Sequence, residues 1–513
     1  MRFYKIIIAG FFLLGIYSCD QELEEEIFST YSADTFFQDE EQLQAQNLGI
    51  YQAFRHVTWE QDMYFLVTMT NRYATTRQPN FAIHNVYNTV DEQPFRYFRT
   101  WNTAYRAIAR ANTVIKFAPQ GSFNTEDNED IVKQYIAEAR WMRAYTYFQL
   151  VQLFGDIPLY TEPVENADPE VIFKARSSVS EVYDLIIEDL IYANENLPVS
   201  WPRTGDSGRV RKAGGAFLLG KVYLASAGLP LQRTENYQNA IDVLKPLADN
   251  PGEFDVELLQ NWSSVFDINN EGNKEILFAH GNVYENLLGA VLPFWTNPQF
   301  SEFGGIQSNN RGSSYLLAWH PDLLDLYETG DDRLEDGFTY SYTRINNGNT
   351  VTYRPTPLNV PGLVYGGRNG ICGTKYQDPG AIGNVIHSKD HIVYRYAETF
   401  LLLAEAYTEI GQTGDALPYL NMVRDRVNTS DITISDQDQL RTVVREERMR
   451  ELYAEMQEMF DARRWGTAEE EFNESRLRQW RFPNQGWDEK FILSPIPDVE
   501  LAKNPNLTQN PGW

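Results

Sequence analysis

From about residue 33 onward, apolar residues recur at three- and four-residue steps, the period of helices that pack by one face. Between Ala137 and Phe154, AEARWMRAYTYFQLVQLF, the residues Trp141, Ala144, Tyr145, Phe148 and Val151 make one such face and predict an amphipathic helix. A second helix is expected over SVSEVYDLIIEDLIYANENLP, opened by a cap at Ser180 and closed by Pro198. The two-helix unit then recurs. In AGGAFLLGKVYLASAG, followed by YQNAIDVLKPL, a helix carrying Leu219, Gly220 and Tyr223 precedes one carrying Tyr237, Ala240, Ile241 and Leu244. In FLLLAEAYTEIGQTGDALPYLNMVRDR, Leu403, Ala404 and Tyr407 face Ala416, Leu417 and Leu420 across an expected turn at Gly411 and Gly414. Neither helix of a pair can bury its stripe alone, so the pairs must stack, and the spacing is that of tetratricopeptide-like repeats.

The pattern divides the chain. Residues 33–250 read as an N-terminal helical region, and 391–513 as a C-terminal one ending in a wrap from Phe482 to Trp513. Between them, 251–390, helical periodicity fades and Gly, Asn, Pro and Tyr become frequent. Short stretches there, Glu275 to His280 and Thr350 to Tyr353, read as strands or loops, and a segment this long is usually a functional appendage. The expected fold class is mostly α, with about four helix pairs and an appended irregular loop and short-strand region for ligand.

Residues 1–18 change the picture of where the chain works. Arg2 and Lys5 precede the apolar run IIIAGFFLLGI, and Tyr17 and Ser18 end it, which is an export signal too short to span a bilayer. IYSC resembles a bacterial lipobox, so cleavage before Cys19 and lipidation of that cysteine are expected. The next residues, 19–32, begin with DQELEEE, a tether too acidic to fold alone. With Cys372 the one other cysteine, a disulfide within the mature chain is excluded. A net charge of −27 argues against nucleic acid and for neutral molecules, cations or proteins as partners.

Catalytic chemistry finds little raw material. His387 and His391 stand four apart, but SKD between them lacks the glutamate of a metalloprotease motif, and both are expected at the surface. GGRNGICG lacks the Lys-Ser or Lys-Thr ending of a phosphate loop and reads as a turn. Asp331, Asp332, Glu335 and Asp336 match no EF-hand and read as a solvated turn. No motif nominates the carboxylate pair of a glycoside hydrolase, and neither a metal nor a cofactor is expected.

Eight ordered segments carry a resemblance: WNTAYRAIARANTVI, AEARWMRAYTYFQLVQLFGDIPLY, RSSVSEVYDLIIEDL, GRVRKAGGAFLLGKVYLASAG, NWSSVFDINNEGNKEILFAH, IVYRYAETFLLLAEAYTEIG, REERMRELYAEMQEMFDARRWG and ILSPIPDVELAKNPNLTQNPGW. Together they resemble the SusD/RagB family of outer-membrane lipoproteins over nearly the whole mature chain. Glu447, Arg448, Glu451, Glu455, Asp461, Arg464 and Trp465 fit the family pattern, while Glu458 stands where it usually has Arg and Ala462 where it has Leu, so a local ion pair is expected to differ. The resemblance implies a surface protein that binds oligosaccharide and delivers it to a SusC-like TonB-dependent transporter. It also implies that Asp20, Glu22, Glu24, Glu25 and Glu26 act as a surface-export signal, with the anchor in the outer membrane and the protein facing the medium.

A sugar offers CH faces to aromatic rings and hydroxyls to planar polar groups, so a glycan site needs exposed Trp or Tyr beside Arg, Asn or Asp. Two windows outside helical stripes qualify. Trp59 to Tyr97 holds Arg72, Tyr73, Arg77, Asn80, Tyr87 and Asn88; Tyr284 to Trp319 holds Trp295, Asn297, Phe300, Asn309, Asn310 and Arg311. They resemble in position the sugar-stacking loops of starch-binding members. Trp295, between Pro293 and Pro298 with no helical stripe to bury it, is the favoured stacking residue. Peptide or protein cargo, and hydrolysis of a glycan, are the alternatives.

Overall fold

A computed structural model describes residues 37–54, 57–75, 94–202, 208–282, 292–298, 301–303, 318–352, 371–379, 387–475, 478–479 and 482–513. Its longer helices are α1 (Glu40–Phe54), α2 (Val57–Val67), α3 (Phe95–Phe117), α4 (Glu129–Phe154), α5 (Val179–Asn196), α6 (Lys212–Ala227), α7 (Asn236–Asp249), α8 (Tyr396–Glu409), α9 (Thr413–Asp425), α10 (Gln437–Leu452), α11 (Glu458–Trp465) and α12 (Ala468–Glu474). Helices α1 and α3, α4 and α5, α6 and α7, and α8 and α9 pack as four pairs, and each pair also touches the next through α3–α4, α5–α6 and α7–α8. The mostly helical fold built on stacked pairs is therefore the one expected, and it joins α7 to α8 across the long irregular segment between them.

Local details correct the reading. Helix α5 is capped by Ser178, not Ser180: Ser178 Oγ accepts from Glu181 N while the Glu181 carboxylate accepts from Ser178 N, a closed capping box. Helix α4 is buried nearly all round instead of on one face, because α1, α3 and α5 all pack on it. The turn between α8 and α9 rests on Gly411, whose φ of 78° favours glycine, whereas Gly414 lies inside α9. Close approach matters most at Gly220 of α6: a Cβ there would lie 2.3 Å from Leu244 Cγ of α7.

The strands are short: β1 (Ala74–Thr75), β2 (Ile276–His280), β3 (Ala318–Trp319), β4 (Phe338–Thr339), β5 (Ser341–Thr343), β6 (Thr350–Thr352), β7 (Cys372–Gly373) and β8 (His391–Arg395). They pair antiparallel as β1–β3, β2–β8, β4–β7 and β5–β6. The β2–β8 ladder carries the irregular region onto the helices, with Phe278 packed edge-on 4.7 Å from Trp141 and 5.5 Å from Tyr145. His387 and His391 are buried in extended chain and not at the surface, since β8 is enclosed on both faces and Asp378 stands 3.5 Å from His387 Nδ1. Asp331 is no solvated turn either. Its buried carboxylate caps the one-turn helix Asp332–Asp336 and grips Arg333 at 2.8 and 3.0 Å.

Arg333 opens a buried ion network. Glu451 pairs with Arg395 at 2.5 Å, with Arg333 at 2.9 Å and with Arg426; Glu447 pairs with Arg333 and Arg424 at 2.7 Å; Glu455 holds Arg395 at 2.8 Å and Lys375 at 2.5 Å. The C-terminal segment reaches the end of α4: Ser494 N and Asn510 Nδ2 donate to the carbonyls of Leu153 and Phe154, beyond the reach of the helix's own ladder.

Candidate functional site

The two expected ligand windows meet at one seam. Asn71 Oδ1 accepts from Tyr73 N at 2.7 Å, a local side-chain turn that delivers the chain into β1. There Ala74 pairs with Trp319 and Thr75 with Ala318, and His320 N donates to Tyr73 O at 2.6 Å. Trp319 exchanges backbone hydrogen bonds of 2.9 Å with Ile371, adding a third segment to the seam. Burial of Trp319, edge-on to Tyr453 at 5.5 Å, anchors the seam to the core.

The window residues fare differently. Tyr73 is half-buried, and the Arg72 guanidinium lies over its ring at 5.0 Å. Trp295 sits on a short helix, Leu292–Thr296, which the flanking prolines had disguised as loop; it packs against the main core and keeps part of its surface. Asn297 is a correction. It is fully buried, and its Nδ2 donates to Pro293 O at 2.9 Å and Tyr376 O at 2.8 Å, so its amide ties this segment to 376 and is not offered to a ligand. Arg77, Asn80, Tyr87, Asn88, Phe300, Asn309, Asn310 and Arg311 lie outside the described residues, as do Cys19, Asp20, Glu22, Glu24, Glu25 and Glu26.

Behind Arg72 and Tyr73 opens a cleft of about 230 Å³, walled by α10, α11 and α12. Arg72 forms ion pairs with Glu471 at 3.6 Å and with Glu474, which fixes the outer wall. On the opposite wall Trp465 donates from Nε1 to Glu405 at 2.7 Å, and Arg445 and Arg464 each lie 4.8 Å from its ring centre. Glu458 accepts from Ala454 N at 2.9 Å and from Gln457 N and Thr68 Oγ1 at 3.1 Å. Burial pushes its carboxyl up to about 7, with these neutral donors opposing. Glu458, one of the two departures from the family pattern, thus makes no ion pair among the described residues.

Sequence reasoning missed Trp465 and Arg445 as lining residues, because both stand on helices where an aromatic reads as core. A second, larger groove of about 1150 Å³ runs between α3, residues 158–173 and the terminal wrap. Its tyrosines are spent on backbone, Tyr105 Oη donating to Pro158 O at 2.9 Å, which leaves ring faces as the lining. Among the described residues no group of three His, Cys, Asp or Glu could hold a metal ion, and no helix is long and apolar enough to cross a membrane.

Residues 320–513 match the SusD family model, and residues 23–224 match a model described as starch-binding associating with outer membrane. A SusD-like protein of Formosa agariphila is 28% identical over the whole of both chains. A SusD homolog from Bacteroides thetaiotaomicron superposes with a TM-score of 0.81 at 21% identity, covering 94% of this chain and 98% of that one. A solved structure described as a laminarin binding SusD-like protein gives a TM-score of 0.70 at 24% identity, covering 93% of this chain and all of the other. These likenesses are to the fold.

Proposed function

Because the chain belongs to the SusD/RagB family, we propose that it binds an oligosaccharide at the cell surface and passes it, unaltered, to a SusC-like TonB-dependent transporter. The observation that carries the reading is the β1–β3 seam, which sets the half-exposed Tyr73 beside both sequence windows that have glycan-site chemistry. Aromatic faces next to planar donors suit the CH faces and hydroxyls of a sugar. A laminarin binding neighbour of the same fold supports the ligand class. In this reading 33–250 and 391–513 are the scaffold and 251–390 supplies most of the ligand face, with Arg72, Tyr73, Trp295, Arg77, Tyr87, Phe300 and Arg311 as contacts. The anchor is lipid on Cys19 after removal of 1–18, and the acidic residues from Asp20 to Glu26 direct it to the outer face of the outer membrane.

Native gels cast with single polysaccharides test the binding. The protein should be retarded by at least one glycan, and Tyr73→Ala should weaken that interaction by about 1 kcal/mol, roughly fivefold. Unretarded migration through every glycan sinks the reading. On intact cells, Cys19→Ala should release the protein from the membrane, and neutralising Glu22 to Glu26 should leave it anchored but hidden from external protease.

A further inference from the structure

We infer that the cleft between Tyr73 and Trp465 holds the acidic group, carboxylate or sulfate ester, of one sugar unit, with Arg445 as its principal donor. The inference rests on the oligosaccharide-binding reading and narrows it to acidic glycans. Its ground is a charge inventory of the cleft walls. Glu446 is paired with Arg450 at 2.9 Å, Asp461 with Arg448 and Arg464 at 2.8 Å, and Glu471 with Arg72 at 3.6 Å. Burial pushes the Glu458 carboxyl up to about 7, against the hydrogen bonds from Ala454 N and Thr68 Oγ1 and the charge of Lys375. Glu405 and Glu409, the nearest carboxylates behind Arg445, are engaged by Arg464 and Arg441. Arg445 has no ion pair or hydrogen bond among the described residues, and its guanidinium carbon lies 4.8 Å from the Trp465 ring centre. Of the lining carboxylates, the exposed Glu470 at the outer rim and Glu458 also make no ion pair among the described residues.

A second observation points the same way. Arg448 is 2% exposed, lines the cleft, and spends Nε and Nη2 on Asp461 and Glu398, yet its Nη1 has no partner; Arg445 Nε is also buried without one. Arg72 Nε is a third such donor in the lining and, among the described residues, Glu471 Oε2 the one acceptor there in the same state; a buried N–H left unmade costs about 1–3 kcal/mol, so the surplus of donors favours an added acceptor. A guanidinium presents its N–H groups as a planar fork that matches a carboxylate or sulfate oxygen pair. At about 230 Å³ the space is smaller than the roughly 300–1,000 Å³ of pockets for larger ligands, which limits it to one sugar unit. The chain's overall negative charge does not bar the anion, because at physiological salt charges more than about 8 Å away are largely screened.

The test is calorimetric titration of the mature chain with oligogalacturonate, oligoalginate and a sulfated galactan oligomer, beside neutral laminari- and cello-oligosaccharides of equal length. An acidic oligomer should bind at least tenfold tighter than the best neutral one. Arg445→Gln should abolish that preference while leaving the unfolding temperature unchanged, since no buried partner is stranded, and Arg445→Lys should recover only part of it. Salt gives a readout independent of any variant: added NaCl should weaken the acidic ligand and not the neutral. Preference among the acidic probes separates carboxylate from sulfate. Neutral oligomers binding as tightly as the acidic ones, or an acidic preference that survives Arg445→Gln, would overturn the inference and leave the glycan reading standing. Heat from no glycan at all would remove both.

Discussion

Glu60 shows at the scale of one residue how burial sets a pH dependence. It is enclosed in α2, Asn282 Nδ2 donates to it at 3.1 Å as its one charge-relieving contact among the described residues, and Asp390 lies close by. Burial first, and Asp390 after it, push the carboxyl up to about 8 from an ordinary 4.5. The folded chain therefore holds this proton more tightly than the unfolded chain does. Its contribution to stability is complete below about 4.5 and is lost as pH rises to about 8, an effect on the order of a few kcal/mol. Glu271 and Glu458, each pushed up to about 7 chiefly by burial, add slopes of the same sign. Urea midpoints measured from pH 5 to 9 should fall with pH in the parent protein and fall less in Glu60→Gln. Identical slopes for the two would remove Glu60 from the account. Residue-scale readings fail where a side chain's partner is distant in sequence. Asn297 has the right chemistry for sugar, but it closes on Tyr376, and nothing near position 297 announces that. Trp295 was hidden differently, since Pro293 is tolerated in the first turn of a helix and so does not signal loop.

Among the elements, the helix pairs were the most legible part of the chain. Small residues such as Ala404 and Ala416, both fully buried, lie on the paired helices α8 and α9, and three of the four pairs, α4–α5, α6–α7 and α8–α9, are formed by helices next to each other in sequence. The cap of α5 falls on Ser178 and not on the expected Ser180, although the signal for Ser178 stood in the sequence: only Ser178 has a Glu three positions on, at Glu181. The all-round burial of α4 was less legible, because β2 and α1 reach it from sequence positions that no local period connects. Gly220 tests the pairing directly. A methyl there meets Leu244 Cγ and both Cδ atoms between 2.3 and 2.9 Å, so Gly220→Ala must push α6 from α7. The expected loss is about 1–3 kcal/mol, read from denaturant midpoints. Gly414→Ala, with open space around the glycine, is the matched control and should cost nothing measurable. If the two variants behaved alike, close α6–α7 approach would not be a source of stability.

Across the whole molecule, the buried ion network joins segments far apart in sequence. Glu451 alone links α10 to Arg333, to Arg395 of β8 and to Arg426 after α9, and Lys375 donates to its backbone carbonyl at 2.9 Å. Removing one partner strands buried guanidinium charge, so Glu451→Gln should cost about 3–5 kcal/mol and lower the unfolding temperature of the full chain. A shift within the noise would mean that solvent reaches the network. The same core holds Trp319 and Tyr453, on which the β1–β3 seam rests, so a rigid scaffold presents Tyr73 at its edge. Under the proposed function, a ring held beside planar donors offers more to a sugar face than to an extended backbone. Titration calorimetry of the mature protein against a glycan panel and against a mixed peptide digest decides the matter most directly. The account predicts heat with at least one glycan, weakened in Tyr73→Ala, and none with peptides; heat with peptides and with no glycan would contradict it.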